Sequence, residues 1–171
     1  MFQLQQQKVL DFALGNTNAA DLQDCGLNVN GDPEYVRQEL LQAIHDKDDV
    51  AVECVLILVF KFGGAAKSSD LLAQLLVEEW HRQHENIALI LKDLKDPAVM
   101  SYLVNVMDLH FPYLDYDGGQ GLKTKTIAAL GAIGTAESIR ALEGFVDSEK
   151  KSVADAARRE LRRLPQLISG V

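Results

Sequence analysis

Residues Leu122 to Leu164 read LKTKTIAALGAIGTAESIRALEGFVDSEKKSVADAARRELRRL. The spacing predicts helices over about 122–132, 136–146 and 150–164, with a turn at Gly134-Thr135 and a polar loop at Asp147–Lys151. The first and third helices share one apolar pattern at an offset of 31 positions, in which Leu122 matches Val153 and Leu130 matches Leu161. A recurrence of that length marks a helical repeat: one helix pair cannot bury its apolar stripe alone, but stacked pairs can. Small residues such as Ala129 and Gly131 let neighbouring helices approach closely. Gly134 can take the positive φ that a helix end needs. Pro165 is the predicted stop, and the cations of RRELRR suit a helix C-terminus and a solvated terminal face.

Upstream, the same punctuation returns in weaker form. Asp32-Pro33 and Asp96-Pro97 each place Asp at an N-cap and Pro at the first helical position. They predict helices to about His45 and about Leu109. Phe2, Leu4, Val9 and Phe12 lie at mixed helical spacing and predict a first helix over 2–13. A loop rich in Asn, Asp and Gly follows over 15–32, with room for one helical turn at Ala19–Asp24. The run Val50–Phe62 is apolar almost all round. Its β-branched residues would permit a strand, but its helical surroundings favour a buried helix ended by Gly63-Gly64. Ser68 or Ser69 caps a helix predicted to reach about His81, and Asn86–Leu94 is another. The segment HFPYLDYDGGQG interrupts the repeat.

The chain has 171 residues, 47% of them hydrophobic, 25% charged and only 6% aromatic, which favours packed helices over a β-sandwich. Its net charge of −8 argues against a general nucleic-acid binder. Residues 1–60 carry 10 acidic and 3 basic groups, whereas residues 121–171 carry 6 and 9. An acidic front half suits a basic partner, or simply solubility. Cys25 and Cys54 are the only cysteines and form no disulfide pattern. Cys54 reads as a small buried residue. No signal-peptide pattern is visible and no apolar run is long enough to span a bilayer, so a cytoplasmic location and no membrane contact are expected.

Three turns align: Leu130–Leu142, Leu91–Leu103, and more loosely Phe60–Leu72. On these residues the chain resembles the HEAT repeat family, in the short bacterial form also found in phycobilin lyases. AALGAIGTAESIRAL is similar to that family's junction between helices, and VADAARREL to the start of its second helix. The Arg usual near that start is absent, with Lys123 and Ala154 in its place. The resemblance implies an all-α fold: a right-handed α-solenoid of about four antiparallel helix pairs with an N-terminal capping helix. It implies one domain over 1–171, with 1–32 as helix and irregular loop, 33–164 as stacked pairs and 165–171 as a tail.

Signals for chemistry are weak. GGAAKS at 63–68 lacks the Gly before Lys and the leading strand of a P-loop. Asp115-Tyr116-Asp117-Gly118 lacks the third acidic position and closing Glu of a calcium loop. His81 and His84, beside Glu78 and Glu85, have a spacing compatible with metal but read better as a solvated helix end. HEAT-like hydroxylases hold two irons through several His-Glu pairs; this chain has one, His84-Glu85, so their activity is not carried over. HEAT-like DNA glycosylases need a basic face that the acidic front half does not offer. No metal, cofactor or catalytic set is assigned.

In a stack of helix pairs the within-pair loops share one edge. That edge would carry Asp46, Asp48, Asp49, Trp80, His81, His84, Tyr113, Asp115, Tyr116 and Asp117. Aromatic anchors flanked by carboxylates suit an interface with a basic protein; the 111–121 loop could equally be a neutral insertion. The expectation is a non-enzymatic protein-binding module. Its sharpest form is an acidic bacterial immunity-type protein that masks a basic toxin domain, with a general adaptor or a lyase- or hydroxylase-like subunit as alternatives. Tyr116→Ala or Asp117→Lys is expected to weaken partner binding while leaving thermal stability nearly unchanged.

Overall fold

Ten α-helices and no strand are formed by the described residues, Gln3 to Ile168 with side chains through Leu164, in the computed structural model. Phe2 and the tail residues Ser169–Val171 lie outside the described residues. The chain divides into two compact units, Met1–Gln83 and His84–Val171.

The first unit contains α1 (Gln3–Ala13), α2 (Ala19–Asp24), α3 (Pro33–Asp46), α4 (Asp49–Phe62) and α5 (Ser69–Leu75). The apolar run forms the helix α4, which packs on α1 and α3. Ala51, Val52, Cys54, Val55, Leu56, Leu58 and Val59 are all buried in it. A helix apolar all round is stable only in a core, and each large side chain buried here contributes roughly 1.5–3 kcal/mol. One cluster joins Val9 of α1 and Leu22 of α2 to Leu27, Cys54 and Leu58. Burial pushes the Cys54 thiol up to about 12, so it is an inert core group.

Polar side chains set the ends of these helices. Asn18 and Asp21 form a reciprocal capping box on α2, and Asp32 caps α3 with Pro33 at its first position. Helix α5 stops at Leu75, short of the predicted His81, and the reason is His81 itself. The His81 Nε2 lies 2.8 Å from the Leu75 carbonyl, and the Gln83 N–H donates to Nδ1 at 3.0 Å. The imidazole thus supplies a donor that a further helical turn would have supplied.

The second unit contains α6 (His84–Leu94), α7 (Met100–Asn105), α8 (Gln120–Ile133), α9 (Ala136–Gly144) and α10 (Lys151–Ile168). The helix expected from Asp96-Pro97 is divided: 3-10 turns at Pro97–Val99 and Val106–Asp108 flank α7. α8 is the hub, packing on α6, α7, α9 and α10. Gln120 near the start of α8 bonds to Ser152 near the start of α10. Glu85 near the start of α6 pairs with Lys125 at 2.9 Å. Their far halves meet around one groove lined by Lys92, Ala132 and Leu164. So α6, α8 and α10 run parallel, side by side.

Gly134 ends α8 at φ 68, as its predicted role requires. Gly131 has a different reason. A Cβ there would lie 2.9 Å from Cβ and Cγ of Glu160, so only Gly lets α10 come this close. Helix α10 does not stop at Pro165 but continues to Ile168. A proline near a helix end removes one donor from the last turns, where carbonyls are already losing their partners. RRELRR is not a uniformly solvated face: Glu160 is buried, while Arg159, Arg162 and Arg163 are exposed.

Candidate functional site

The predicted edge divides between the two units. In the first unit, Asp46, Asp48 and Asp49 form the corner from α3 to α4. Asp46 is exposed and accepts hydrogen bonds from Gln42 at 2.6 Å and His45 at 2.8 Å. Those bonds, Gln42 first, hold its carboxyl below the usual range. Asp48 caps α4 through the Ala51 N–H at 2.9 Å and accepts from Gln6 of α1 at 2.7 Å. It ties two helices together. Asp49 is exposed in the first turn of α4, where the helix dipole favours a carboxylate. Trp80 is half-buried and meets His81 edge-on at 5.1 Å.

His81 and His84 correct the expectation of a solvated helix end: their exposures are 1% and 0%. His81 has the helix-closing contacts described above. Burial holds its imidazole below the ordinary value of 6.5, consistent with a neutral ring that donates from Nε2 and accepts at Nδ1. A side chain so enclosed offers no surface to a partner. No group of three or more His, Cys, Asp or Glu that could hold a metal ion occurs among the described residues.

In the second unit His84 begins α6 and packs on the 111–121 loop. Its ring centroid lies 3.7 Å from that of Phe111, and Nδ1 is hydrogen-bonded to the Tyr113 hydroxyl at 2.8 Å. The loop has a 3-10 turn at Pro112–Leu114, with Phe111 and Leu114 buried. It is therefore folded onto the unit rather than looped out. Asp115 is exposed and bonds to His110 at 2.7 Å.

Asp117 departs from its predicted role. One carboxylate oxygen accepts from the Gly119 N–H at 2.9 Å and the other from the Gly121 N–H at 2.8 Å. It thus caps the start of α8, and its substitution will cost stability. A Cβ at Gly121 would overlap Glu85 Oε1, which is why that first turn has no side chain there. Lys150 Nζ donates to the Gly118 carbonyl at 2.9 Å, holding the loop to the approach of α10. Tyr116, between the two acidic residues, is 76% exposed. Of the ten predicted residues, Asp46, Asp49, Asp115 and Tyr116 are exposed, and Asp48, Trp80, Tyr113 and Asp117 are partly buried.

Two features were not legible in the sequence. A groove of about 390 Å³ among α6, α8 and α10 is lined by Lys92, Lys95, Glu160 and Arg163. Lys92 stands in the last turn of α6 and Lys95 just beyond it, where they complement the helix dipole. Arg163 is also paired to Glu160 at 3.2 Å. A structural role accounts for them. The second feature is a pair of cavities that meets at Lys123 and Lys150. These lysines come together only through the packing of α8 and α10. No helix among the described residues is long and apolar enough to cross a membrane. No family model, curated protein or solved structure matches this chain.

Proposed function

We propose that the chain is a HEAT-like protein-binding module that performs no chemistry itself and uses the 111–121 loop as its contact surface. The observation that carries this reading is Tyr116: a large aromatic side chain, 76% exposed, on a loop braced at both sides. Asp117 fixes the loop to α8, and Lys150 and His84 fix it to its neighbours. An aromatic anchor on a pre-ordered loop loses little entropy on binding, which is the economical way to build affinity. The parallel layer of α6, α8 and α10, with α7 and α9 between them in sequence, supports the repeat reading.

The partner is a basic protein. Residues 1–83 carry 13 acidic and 6 basic groups, whereas residues 84–171 carry 12 and 11. A net charge of −7 in the first unit would steer a cationic partner and speed association at low salt. An acidic immunity-type protein that masks a basic toxin domain is the form of this function that size and charge favour.

The test is quantitative affinity capture with the wild type and Tyr116→Ala side by side. Tyr116→Ala is expected to lower capture of a basic partner about tenfold or more, the effect of losing an anchor residue. Its melting temperature should match the wild type. Equal capture by both proteins would remove the loop from the interface.

A further inference from the structure

We propose that the notch where the 111–121 loop meets the start of α10 binds a small organic acid, with its carboxylate or phosphate on Lys123 and Lys150 and its apolar body in the adjoining cavities. This site shares the 111–121 loop with the proposed protein-binding surface, but Tyr116 is not among its lining residues and its test does not involve Tyr116. Two cavities, of about 160 Å³ and 260 Å³, share Asp108, Lys123 and Lys150 in their walls. The smaller is completed by apolar groups including Phe111, Leu114 and Leu122. The larger is completed by Met107, Phe145 and Val153. Their walls also carry Asp108, His110, Ser148 and Glu149, so apolar groups and convergent polar groups stand together, as in a small-molecule site.

The lysines are the unusual part. Lys123 is half-buried and forms no ion pair within 4 Å among the described residues. Burial first, and Lys150 second, push its ammonium below the ordinary lysine value. Asp108 and Glu149 also line this space, but neither comes within ion-pair distance of Lys123. Lys150 donates one hydrogen bond, to the Gly118 carbonyl, of the three an ammonium can make.

The helix dipoles do not favour these charges either. Lys123 lies in the first turn of α8 and Lys150 immediately precedes α10, where helix dipoles disfavour cations. Lys92 and Lys95 of the 390 Å³ groove stand at the favourable end of α6 instead. The start of α8 is already capped by Asp117, so the lysine pair, not the bare helix end, is the recognition element. An anion between the two ammonium groups would relieve their mutual repulsion.

The full chain is titrated with phenyl phosphate, phenylacetate and inorganic phosphate, following the amide signals of Gly118, Gly119 and Lys150 by NMR. At least one aromatic acid is expected to bind saturably with a Kd on the order of 0.1–1 mM. Lys123→Gln should weaken it about tenfold or more, and Lys123→Arg should restore much of the loss. If phenyl phosphate binds and phenylacetate does not, the head group is a phosphate; the reverse identifies a carboxylate. If Lys123→Gln does not fold, Lys150→Gln carries the same expectation. Absence of saturation by both aromatic acids, or unchanged affinity in the folded glutamine variant, overturns the proposal. So does inorganic phosphate binding as tightly as the aromatic acids, which would mean an adventitious ion only.

Discussion

Helices α4 and α8 each bury much of their length, yet they do so with different side chains. α4 fills its surroundings with Leu, Val and Ile side chains on nearly every face. α8 buries Leu122, Ile127 and Leu130 as well, but sets Thr126, Ala129 and Gly131 among them, and at Gly131 it lets α10 close on its backbone. The first design is sensitive to removed volume, and the second to added volume. The units also differ in charge, −7 against −1. A core made of large side chains leaves charge to the surface. A core made of close helix contacts brings charged groups such as Glu160 into the packing.

This contrast can be broken most directly at Leu56, which is 1% exposed. Leu56→Ala should cost about 2–5 kcal/mol in chemical denaturation, because the cavity adds to the lost transfer energy. A cost below about 1 kcal/mol would show that α4 can collapse around the gap. At Gly131 the sign of the volume change is reversed. Gly131→Val should destabilise by roughly 1–3 kcal/mol, since its Cβ meets Glu160 before the methyl groups are counted. A raised melting temperature would instead mean that α10 shifts freely and that close approach is not what holds α8.

His81 supplies a pH-dependent distinction within the first unit. Its native imidazole is held below 6.5, so the unfolded chain binds a proton more readily than the folded one. The contribution is fully present above about pH 6.5 and is lost as pH falls through the lowered native value. His81→Gln should lower stability at pH 7 by roughly 1–3 kcal/mol, by disturbing two buried hydrogen bonds. It should also flatten the fall in melting temperature between pH 7 and pH 5. An unchanged slope would assign that fall to other groups.

The smallest expected effect separates Asp117 from Tyr116. Asp117→Ala should cost about 1 kcal/mol as a lost cap, while Tyr116→Ala should stay within about 0.5 kcal/mol of wild type. Equal melting temperatures for the two variants would leave the Asp117 hydrogen bonds without energetic weight.

Much of the helical plan was legible because it rests on local chemistry. Asp-Pro at 32–33 and 96–97, Gly134 and the apolar run at 50–62 all act within a few residues of themselves. Boundaries failed where a distant group intervened: α5 ends early because His81 returns to its last carbonyl. The candidate site was read less well. Asp48, His81, His84 and Asp117 carry polar groups that, in a bare sequence, look available to a partner. Folding assigns them to a cap, a helix end, a ring stack and a second cap. Tyr116 remained exposed.

The sequence by itself determined that this chain is helical, that α4 is buried and where most helices begin. Those properties follow from periodicity and from side chains bonding to their own backbone. Only the tertiary structure decided which charges remain at the surface, because a carboxylate or imidazole is exposed or enclosed according to what packs over it. It also brought Lys123 and Lys150 to one notch across 27 residues of sequence. No local pattern encodes that meeting; it exists because α8 and α10 start at the same end of one layer.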